Sequence, residues 1–582
     1  MKIRILPHTL LLACLLAAPA LLCGQSRDTT ATVYGPLAAR PDSTGAGALL
    51  APRAPLIPCA TEEEALTGSP SPYVIPLNEW QRDTVPGGTR FTTRFKVRYT
   101  WNNRTVLLRT EDVSSSFGVA INGQPAGYCQ TGSGHAEFDL TPWIRPDYNT
   151  VSLTVFDHAA ASVLENGRES APAGFRAASI LSQPTVRIED VFLTPTLGDG
   201  TCYIACDVAM QSHLLNPKAC DIGYELLNPA GETVATARKT VHSTMLHCDT
   251  VRFVIAVTDP QLWNHETPHL YTLLLTNRNE GRLTECMAFR FGIRQPGCRD
   301  GVFLMNGRPV TLRGTRYAAN ENASLGIAHL QRLKREGYNC ILADGRPQPD
   351  YFYAACDSLG LYVCDAADID TSRQPERITK GGNPSNDPAW LNGYLDRLRR
   401  MYTGSHLHPS VVVYAPAHAS RNGFCLYEGY LALKAWVPET PIWYDGADGQ
   451  WNTDLTAEAL TAAPDPAAGR EPVEVCVRPR DGRYAVELHN RMELTDLSLF
   501  YRIKARAGRL RSSRSGELLL PGNATTPILL DLPVVPAEEG KVQIELHVRK
   551  PVVRHEAADR TPRKVADLYQ TSKTTVALPI RE

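Results

Sequence analysis

The sequence predicts a multidomain protein in which β-sandwiches flank one block of alternating strands and helices. The chain has 582 residues, which is too long for a single domain. Short runs of alternating apolar and polar residues fill residues 73–295 and 471–582, as expected of half-buried strands. Between them, residues 296–455 alternate strand-like and helix-like segments, which is the pattern of parallel β/α units.

Two β-rich regions come first along the chain. Residues 73–195 contain runs such as "RFTTRFKVRYT" and "TVSLTVFDH", and the Asn-Gly pair within "FGVAINGQPAGY" predicts a hairpin turn. Residues 196–295 repeat strand-like runs at a spacing of about 10 residues, which favours an immunoglobulin-like sandwich. Each region is therefore predicted to form its own all-β sandwich.

The β/α block is predicted to be an incomplete barrel. Its five strand-like segments are "PVTLRGTRY", "NCILADG", "LYVCDAADID", "SVVVYAPA" and "PIWYDG". A closed barrel of eight strands takes ~250 residues, more than residues 296–455 provide. We expect residues 456–470 to be a linker and residues 471–582 to return to a β-sandwich.

The N-terminus has the layout of a secretory signal peptide. Lys2 and Arg4 precede the apolar stretch "ILPHTLLLACLLAAPALLCG", and the polar "QSRDTT" follows it. This predicts a signal peptide over residues 1–24 and a periplasmic or extracellular protein. A lipid anchor on Cys23 is disfavoured because the bulky Leu22 precedes it. Residues 25–72, rich in Ala, Pro and Thr, are expected to be a loosely packed leader or linker.

Composition excludes some partners. A formal net charge of −1 gives no electrostatic reason to expect nucleic acid or an anionic membrane. Fifteen cysteines occur, two of them in the signal segment, without the regular spacing of a disulfide scaffold or a zinc site. We therefore expect no metal and no cofactor, and most of the thiols to be buried as small apolar groups. Their pairing cannot be read from their spacing.

The segment "HPSVVVYAPAHAS" marks the place where catalytic groups would normally lie. Its apolar run, residues 411–414, predicts a strand that is covered on both faces. In an α/β barrel, the residues that follow such a strand line the mouth. Here His418 and Ala419 follow, and no carboxylate does.

Several longer phrases resemble the β-galactosidase branch of glycoside hydrolase family 2. They are "FGVAINGQPAGYCQTGSGHAEFDLTPWI", "LWNHETPHLYTL" with "FRFGIR", "FLMNGRPVTLRGTRY", "CDSLGLYVCDAADID" and "HLHPSVVVY", and the similarity covers residues 73–582. The resemblance implies a jelly-roll sandwich, an immunoglobulin-like sandwich, a catalytic barrel and a further sandwich. It also implies retaining hydrolysis of a β-linked sugar by two glutamates ~5–5.5 Å apart.

The chain departs from this family at the residues that carry the chemistry. The acid/base glutamate falls at Ala419, and the asparagine before it falls at His418. The strand that would supply the nucleophile is missing from the block. An arginine of the family's second strand falls at Leu342 and its histidine at Gly345. The resemblance therefore implies a family member that has lost hydrolysis.

Other residues remain as candidate site groups. Asp365, Asp368 and Asp370 follow the third strand, and they could act as a relocated acid/base pair or simply form a polar strand end. Glu428 is a further carboxylate for the same role. Trp443, Tyr444 and Asp445 end the fifth strand and are candidates for sugar contact, although core packing is the commoner use of such aromatics.

We therefore expect a secreted, β-galactosidase-like protein that acts in glycan binding or assembly. The alternatives are an active glycosidase with relocated carboxylates and a purely structural surface module. The expected partner is a β-linked glycan. Because a partial barrel leaves an open edge, we expect the linker and the last sandwich to cover it, or a second copy or another chain to do so.

Overall fold

The computed structural model describes most of the chain between Leu49 and Ala577. It leaves out residues 1–48, 158–162, 166–171, 321, 347, 376–381, 448, 467, 470, 535–539, 550–567 and 578–582. The predicted signal peptide, Cys23 and about half of the predicted leader lie outside the described residues. Within the part of the chain that is described, no helix combines the length and apolar character that crossing a bilayer requires.

The first sandwich follows a short helix, α1 (Glu62–Thr67), and consists of two antiparallel sheets. Its strands are β1 (Val74–Pro76), β2 (Gln81–Val85), β3 (Gly88–Lys96), β4 (Arg104–Glu111), β5 (Phe117–Ile121), β6 (Gln124–Cys129), β7 (His135–Asp139), β8 (Tyr148–Phe156) and β9 (Ala177–Pro184). The sheet orders are β1-β9-β4-β7 and β2-β3-β8-β5-β6. The predicted hairpin joins β5 and β6, where Asn122 and Gly123 both adopt the positive φ of a tight turn.

The second sandwich has seven long strands. They are β10 (Val186–Leu197), β11 (Thr201–Ser212), β12 (Lys218–Leu227), β13 (Thr233–Ser243), β14 (Cys248–Thr258), β15 (Tyr271–Asn279) and β16 (Arg282–Phe291). The sheets β10-β11-β14 and β13-β12-β15-β16 enclose one apolar core. This is the immunoglobulin-like arrangement that the sequence predicts.

The β/α block begins after a small antiparallel sheet made of β17 (Pro296–Arg299), β18 (Val302–Met305) and β19 (Arg308–Pro309). Its elements in order are β20 (Gly314–Tyr317), α2 (Ala323–Arg335), β21 (Cys340–Ala343), α3 (Asp350–Leu359), β22 (Tyr362–Ala366), α4 (Leu391–Ser405), β23 (Val411–Ala415), α5 (Phe424–Trp436) and α6 (Ala457–Leu460). Strands β20-β21-β22-β23 form one parallel sheet. Five short 3₁₀ turns also occur in the described residues, at Tyr99–Trp101, Thr141–Trp143, Pro384–Asn386, Pro388–Trp390 and Asp445–Ala447.

The fifth barrel strand takes its predicted place but is reduced to isolated bridges. Ile442 pairs in parallel with Tyr414, and Trp443 pairs in parallel with Leu455. Pro441 has no N–H to donate, and a 3₁₀ turn begins at Asp445, so the ladder cannot extend in either direction. The barrel therefore has four strands and one strand-like position.

The linker covers the open edge of this sheet. Thr461 pairs with Arg313, the residue before β20, and the Ala462 N–H donates to the Leu312 carbonyl at 3.2 Å. Leu460 is fully buried in the inner core of the barrel. The chain itself thus covers this edge. This is one of the two arrangements expected from the sequence, the other being a cover supplied by a second chain.

The last sandwich packs against the small sheet and the start of β20. Its strands are β24 (Val473–Arg480), β25 (Arg483–Asn490), β26 (Leu497–Ala507), β27 (Leu510–Leu520), β28 (Thr525–Pro533), β29 (Gly540–Arg549) and β30 (Leu568–Ala577), in the sheet orders β24-β25-β28 and β27-β26-β29-β30. Arg313 pairs with Glu493 at 2.9 Å and Arg308 pairs with Asp496 at 2.9 Å.

The expectation of a loosely packed leader is wrong for the part of the leader that the structure describes. We call residues 49–60 the strap. Arg53 is buried and bonds to Glu137 at 2.5 Å and to Gln183 at 2.7 Å. The Leu50 N–H donates to the Glu137 carbonyl, and the Ala54 N–H donates to Asp190. Buried ionic and backbone bonds therefore fix the strap across both sandwiches, which composition alone did not reveal.

Candidate functional site

The barrel mouth is built by the loops that follow the parallel strands. The N–H groups of His418 and Ala419 both donate to the Ile369 carbonyl, at 3.0 and 3.2 Å. Ala419 also pairs in parallel with Asp370. The loop after β23 therefore lies directly against the loop after β22. A methyl group occupies the position where the resemblance places the proton donor.

The side chains of the parallel strands divide between an inner and an outer face. Arg316, Leu342 and Cys364 are partners in register on neighbouring strands and therefore point the same way. Leu342 and Cys364 belong to the inner core of the barrel. Their sequence neighbours Ile341 and Val363 belong instead to the core between the sheet and the helices. Arg316 therefore lies on the same face of the sheet as Leu342 and Cys364, and its side chain is exposed at the barrel mouth.

Asp365 lies on the outer face of β22, between Cys364 and Ala366. The Tyr353 hydroxyl on α3 donates to both of its carboxylate oxygens, at 3.1 and 3.0 Å. Burial raises the pKa of Asp365 to about 6, although its hydrogen bonds act in the opposite direction. This carboxyl group is directed towards the helix layer and not into the barrel.

The other two carboxylates after β22 have different surroundings. Asp370 accepts bonds from the Ser372 N–H at 2.9 Å and from the Ser372 hydroxyl at 2.6 Å. Its backbone lies between Glu165 and Ala419. Asp370 therefore stabilises a turn, whereas Asp368 is buried beside the outer cleft described next.

A cleft lies between the first sandwich and helices α3 and α4. It holds about 520 Å³ of space, open solvent included, and both Asp365 and Asp368 line it. Its other charged and titratable side chains are Glu111, Asp112, His135, Arg176, Asp350, Tyr353 and Arg400. Arg176 pairs with Asp112 at 3.0 Å, and the Arg400 guanidinium donates to the His135 carbonyl at 2.8 Å.

The structure does not bring the three candidate sugar-contact residues together on a surface. Trp443 packs in the inner core of the barrel and is 7% exposed. Tyr444 is 3% exposed, and its hydroxyl donates to the Ser420 carbonyl. Asp445 is exposed at the start of a 3₁₀ turn. The two aromatic rings thus serve packing, which was the commoner of the two expected uses.

His418 is half-buried against Gly345. Gly345 has a φ of +82°, and a Cβ placed on it would lie 2.4 Å from the His418 Cβ. Burial lowers the pKa of His418, and the Arg316 guanidinium acts in the same direction. The imidazole is therefore neutral at pH 7 and fills space at the mouth.

Sequence reasoning missed the loop that joins the first sandwich to the barrel. Glu165 reaches Arg397 on α4, with its carboxylate 2.9 Å from Nε, and both side chains are buried. The Asp370 N–H donates to the Leu164 carbonyl at 2.7 Å. The signal that could have identified this contact is the acidic Glu165 in the segment "LENGRES".

A second ion pair, between a half-buried histidine and a buried aspartate, was also missed. His408 bonds through Nδ1 to Asp357 at 2.7 Å, and the same carboxylate accepts the Ser410 N–H at 3.0 Å. The His408 ring stacks on Tyr353 with 4.9 Å between centroids. Burial alone would lower the pKa of His408, but the Asp357 carboxylate raises it.

Three family models match this order of domains. Residues 63–184 match the sugar binding domain of glycosyl hydrolases family 2, residues 186–294 match a second domain of the same family, and residues 297–463 match its TIM barrel domain. The fold is that of a multidomain glycosidase scaffold. The chain belongs to glycosyl hydrolase family 2.

Curated relatives are β-galactosidases. The chain is 31% identical to the β-galactosidase of Aeromonas hydrophila over 358 residues, which are 58% of this chain and 34% of the relative. It is 28% identical to that of Photobacterium profundum over 386 residues, 62% of this chain and 37% of the relative. The chain thus spans about a third of the length of the curated relatives it matches.

Solved structures support the fold. A β-glucuronidase from Bacteroides uniformis superposes with a TM-score of 0.54 at 12% identity, over 85% of this chain and 74% of the other. A β-glucuronidase from Bifidobacterium dentium gives 0.54 at 18% identity, over 66% and 76%. At such low identity these similarities concern the architecture alone.

Proposed function

We propose that this protein binds β-linked glycans on a family 2 scaffold without hydrolysing them. The observation that carries the proposal is Ala419, which lies in the loop after β23 where the resemblance places the acid/base glutamate. Two-carboxylate hydrolysis requires a proton donor and a second carboxylate on opposite sides of the glycosidic bond. A methyl group cannot serve as the first.

The remaining carboxylates support the same proposal. Asp365 faces the helix layer under Tyr353, and Asp370 is engaged by Ser372. Past the fifth strand position the chain continues into the linker that covers the β20 edge, so residues 455–462 occupy the side where further barrel strands would lie. A nucleophile delivered by a seventh strand has no place in this ring.

A second candidate function is hydrolysis by relocated carboxylates. It is favoured by one observation: Asp365 and Asp368 line the same cleft, and the Asp365 pKa of about 6 suits a general acid. Glu428 lies on α5, outside the residues that line this cleft.

Hydrolysis assays with nitrophenyl β-galactoside and β-glucuronide between pH 4 and pH 8 separate the two candidates. We expect no turnover above the buffer rate. Turnover that Asp368→Asn abolishes would overturn the proposal in favour of the second candidate. The control is Asp199→Asn, at an exposed turn between β10 and β11, which should leave any turnover intact.

Binding assays address the glycan itself. An array of β-linked oligosaccharides, followed by calorimetry on any hit, is expected to show saturable binding by the full chain. If no β-linked glycan binds, the protein is a structural module, and the glycan-binding proposal fails.

We further propose that the chain is exported. The support is the basic, apolar and polar order of residues 1–30. Expression of the full chain in a bacterial host, with N-terminal sequencing of the product, is expected to give a start near Gln25. A product that retains Met1 and stays in the cytoplasm would contradict export.

A further inference from the structure

Cys59 in the strap and Cys286 in β16 lie directly opposite each other. The Cys59 N–H donates to the Cys286 carbonyl at 2.7 Å, and the Cys286 N–H donates to the Cys59 carbonyl at 3.1 Å. The two residues form an isolated antiparallel bridge. In a pair that exchanges both bonds, the Cα atoms are about 5.5 Å apart, which is within the range that a disulfide spans.

The two side chains share one buried environment. Directly opposed residues of an antiparallel pair project on the same face. Cys59 is 5% exposed and Cys286 is fully buried, and both pack with Leu274 in one small cluster. The Cys286 Sγ lies 3.6 Å from the carbonyl oxygen of Cys59, so it is directed towards the strap. Both are free thiols in the structure.

Among the described cysteines that lie in strands or bridges, this register singles out one pair. In the strands that the structure describes, every other cysteine is paired in register with a different residue type. Cys202 and Cys206, the closest pair in sequence, lie on the same strand, opposite Val257 and Phe253. Backbone register thus identifies a pairing that spacing could not.

We propose that Cys59 and Cys286 form a disulfide bond that fastens the strap to the second sandwich. The bond closes a loop across 227 positions of sequence, which includes the whole first sandwich. It therefore ties the strap covalently at the point where the strap leaves the sandwiches for α1.

The oxidant is the disulfide of a thiol–disulfide exchange partner, such as a disulfide oxidase or oxidised glutathione. The thiolate of one cysteine attacks that disulfide, forms a mixed disulfide and releases one partner thiolate. The second cysteine then attacks the mixed disulfide, forms the Cys59–Cys286 bond and releases the second partner thiolate. The two cysteines lose two electrons and two protons, and the partner disulfide gains both electrons.

Burial of the two thiols determines when during folding the disulfide can form. Burial raises the pKa of the Cys59 thiol, with the Glu64 carboxylate adding to the effect, and it raises the pKa of Cys286 to about 12. Only the thiolate attacks, so exchange is slow once the strap has docked. Oxidation therefore accompanies folding, and the finished bond is shielded from reductants.

The test is a disulfide map of the full chain folded in a bacterial periplasm that contains a disulfide oxidase. The purified monomer is unfolded in guanidinium chloride that already contains N-ethylmaleimide, so that buried free thiols are blocked as they become exposed, before digestion and mass spectrometry. We expect a linked peptide pair that contains Cys59 and Cys286, and its absence from protein folded in a strain without the oxidase. Recovery of both cysteines as N-ethylmaleimide adducts from the oxidase-containing strain would overturn the proposal.

Thermal unfolding provides the second readout. Reduction of the unfolded wild-type chain before rescanning, or the variant Cys59→Ser/Cys286→Ser, is expected to lower the midpoint by roughly 3–8 °C. The control Cys298→Ser, a half-buried thiol elsewhere, should keep the redox-dependent shift. Equal midpoints for oxidised and reduced wild-type protein would contradict the fastening role.

Discussion

Ala419 and its neighbours show how much of the barrel mouth depends on single side chains. The identity of Ala419 is visible in the sequence, and so is the absence of a carboxylate from residues 416–420. The contact between His418 and Gly345 is not, because it joins two loops that are 73 positions apart only after folding. Two features require glycine at position 345: its positive φ, which disfavours any side chain, and the close approach of the His418 side chain.

Replacement of this glycine tests that packing. Gly345→Ala would place a Cβ 2.4 Å from the His418 Cβ in a left-handed backbone, and we expect it to destabilise the barrel by about 2–4 kcal/mol. Gly449→Ala is the matched control, because Gly449 also has a positive φ but has open space around it. Chemical denaturation monitors both, and equal losses would show that the His418 contact is unimportant.

The buried Asp365 carboxyl makes stability depend on pH. Its folded pKa of about 6 lies above the ordinary value of 3.8, so the native state binds its proton more tightly than the unfolded state. The resulting stabilisation is fully present only below the unfolded pKa, at about pH 3, and is lost as pH rises through 6. The wild type should therefore lose about 2 kcal/mol relative to Asp365→Asn between pH 4 and pH 7.

Unfolding free energies of the two proteins at several pH values measure this difference. Asp445→Asn, at an exposed position, is the control and should track the wild type. A constant gap between wild type and Asp365→Asn over this range would refute the assigned environment. His408 has the same sign: its raised pKa adds stability that is lost as pH rises through that value.

At the level of strands and helices, local pattern predicted most of the fold. The period-two runs became strands, the Asn122–Gly123 turn became a hairpin, and four of the five barrel strands formed where expected. The fifth formed only bridges because Pro441 and the turn at Asp445 limit its ladder. Which face of β22 carries Asp365 could not be predicted, because all five residues of β22 are buried and the strand shows no alternation of buried and exposed positions.

The strap was missed as a packed element for a different reason. Its composition resembles that of a flexible segment, and its order comes from contacts with residues distant in sequence. Arg53, for example, bonds to Glu137 and Gln183, and a local sequence pattern cannot reveal such distant contacts.

The linker's role as an edge cover can be tested at Leu460. Leu460→Ala removes a fully buried side chain from the inner core, and we expect a loss of about 2–4 kcal/mol. Because the β20 edge is then less firmly covered, light scattering on heating should show earlier aggregation. Leu325→Ala, at a position 61% exposed on α2, should change neither quantity. Unchanged aggregation in Leu460→Ala would show that the edge is protected in another way.

In the whole molecule, a buried ion pair joins the first sandwich to the barrel. Removing one partner of such a pair leaves an uncompensated charge, so Arg397→Met should cost about 3–5 kcal/mol. Arg332→Met, which removes a solvent-exposed pair with Glu336, should cost less than about 1 kcal/mol. Calorimetric unfolding of the full chain measures the stability loss of each of the two variants. Comparable small losses would show that Glu165 and Arg397 do not hold the domains together.

The ring that the linker completes also limits how this scaffold could be re-engineered. Residues 455–462 fill the gap between the fifth strand position and β20. A glutamate placed at position 419 would supply one carboxyl group but leave no route for three more β/α units to join the sheet. Under the proposed function, conversion of this chain into a family 2 hydrolase with a closed eight-strand barrel would require removal of residues 455–462 from this position first.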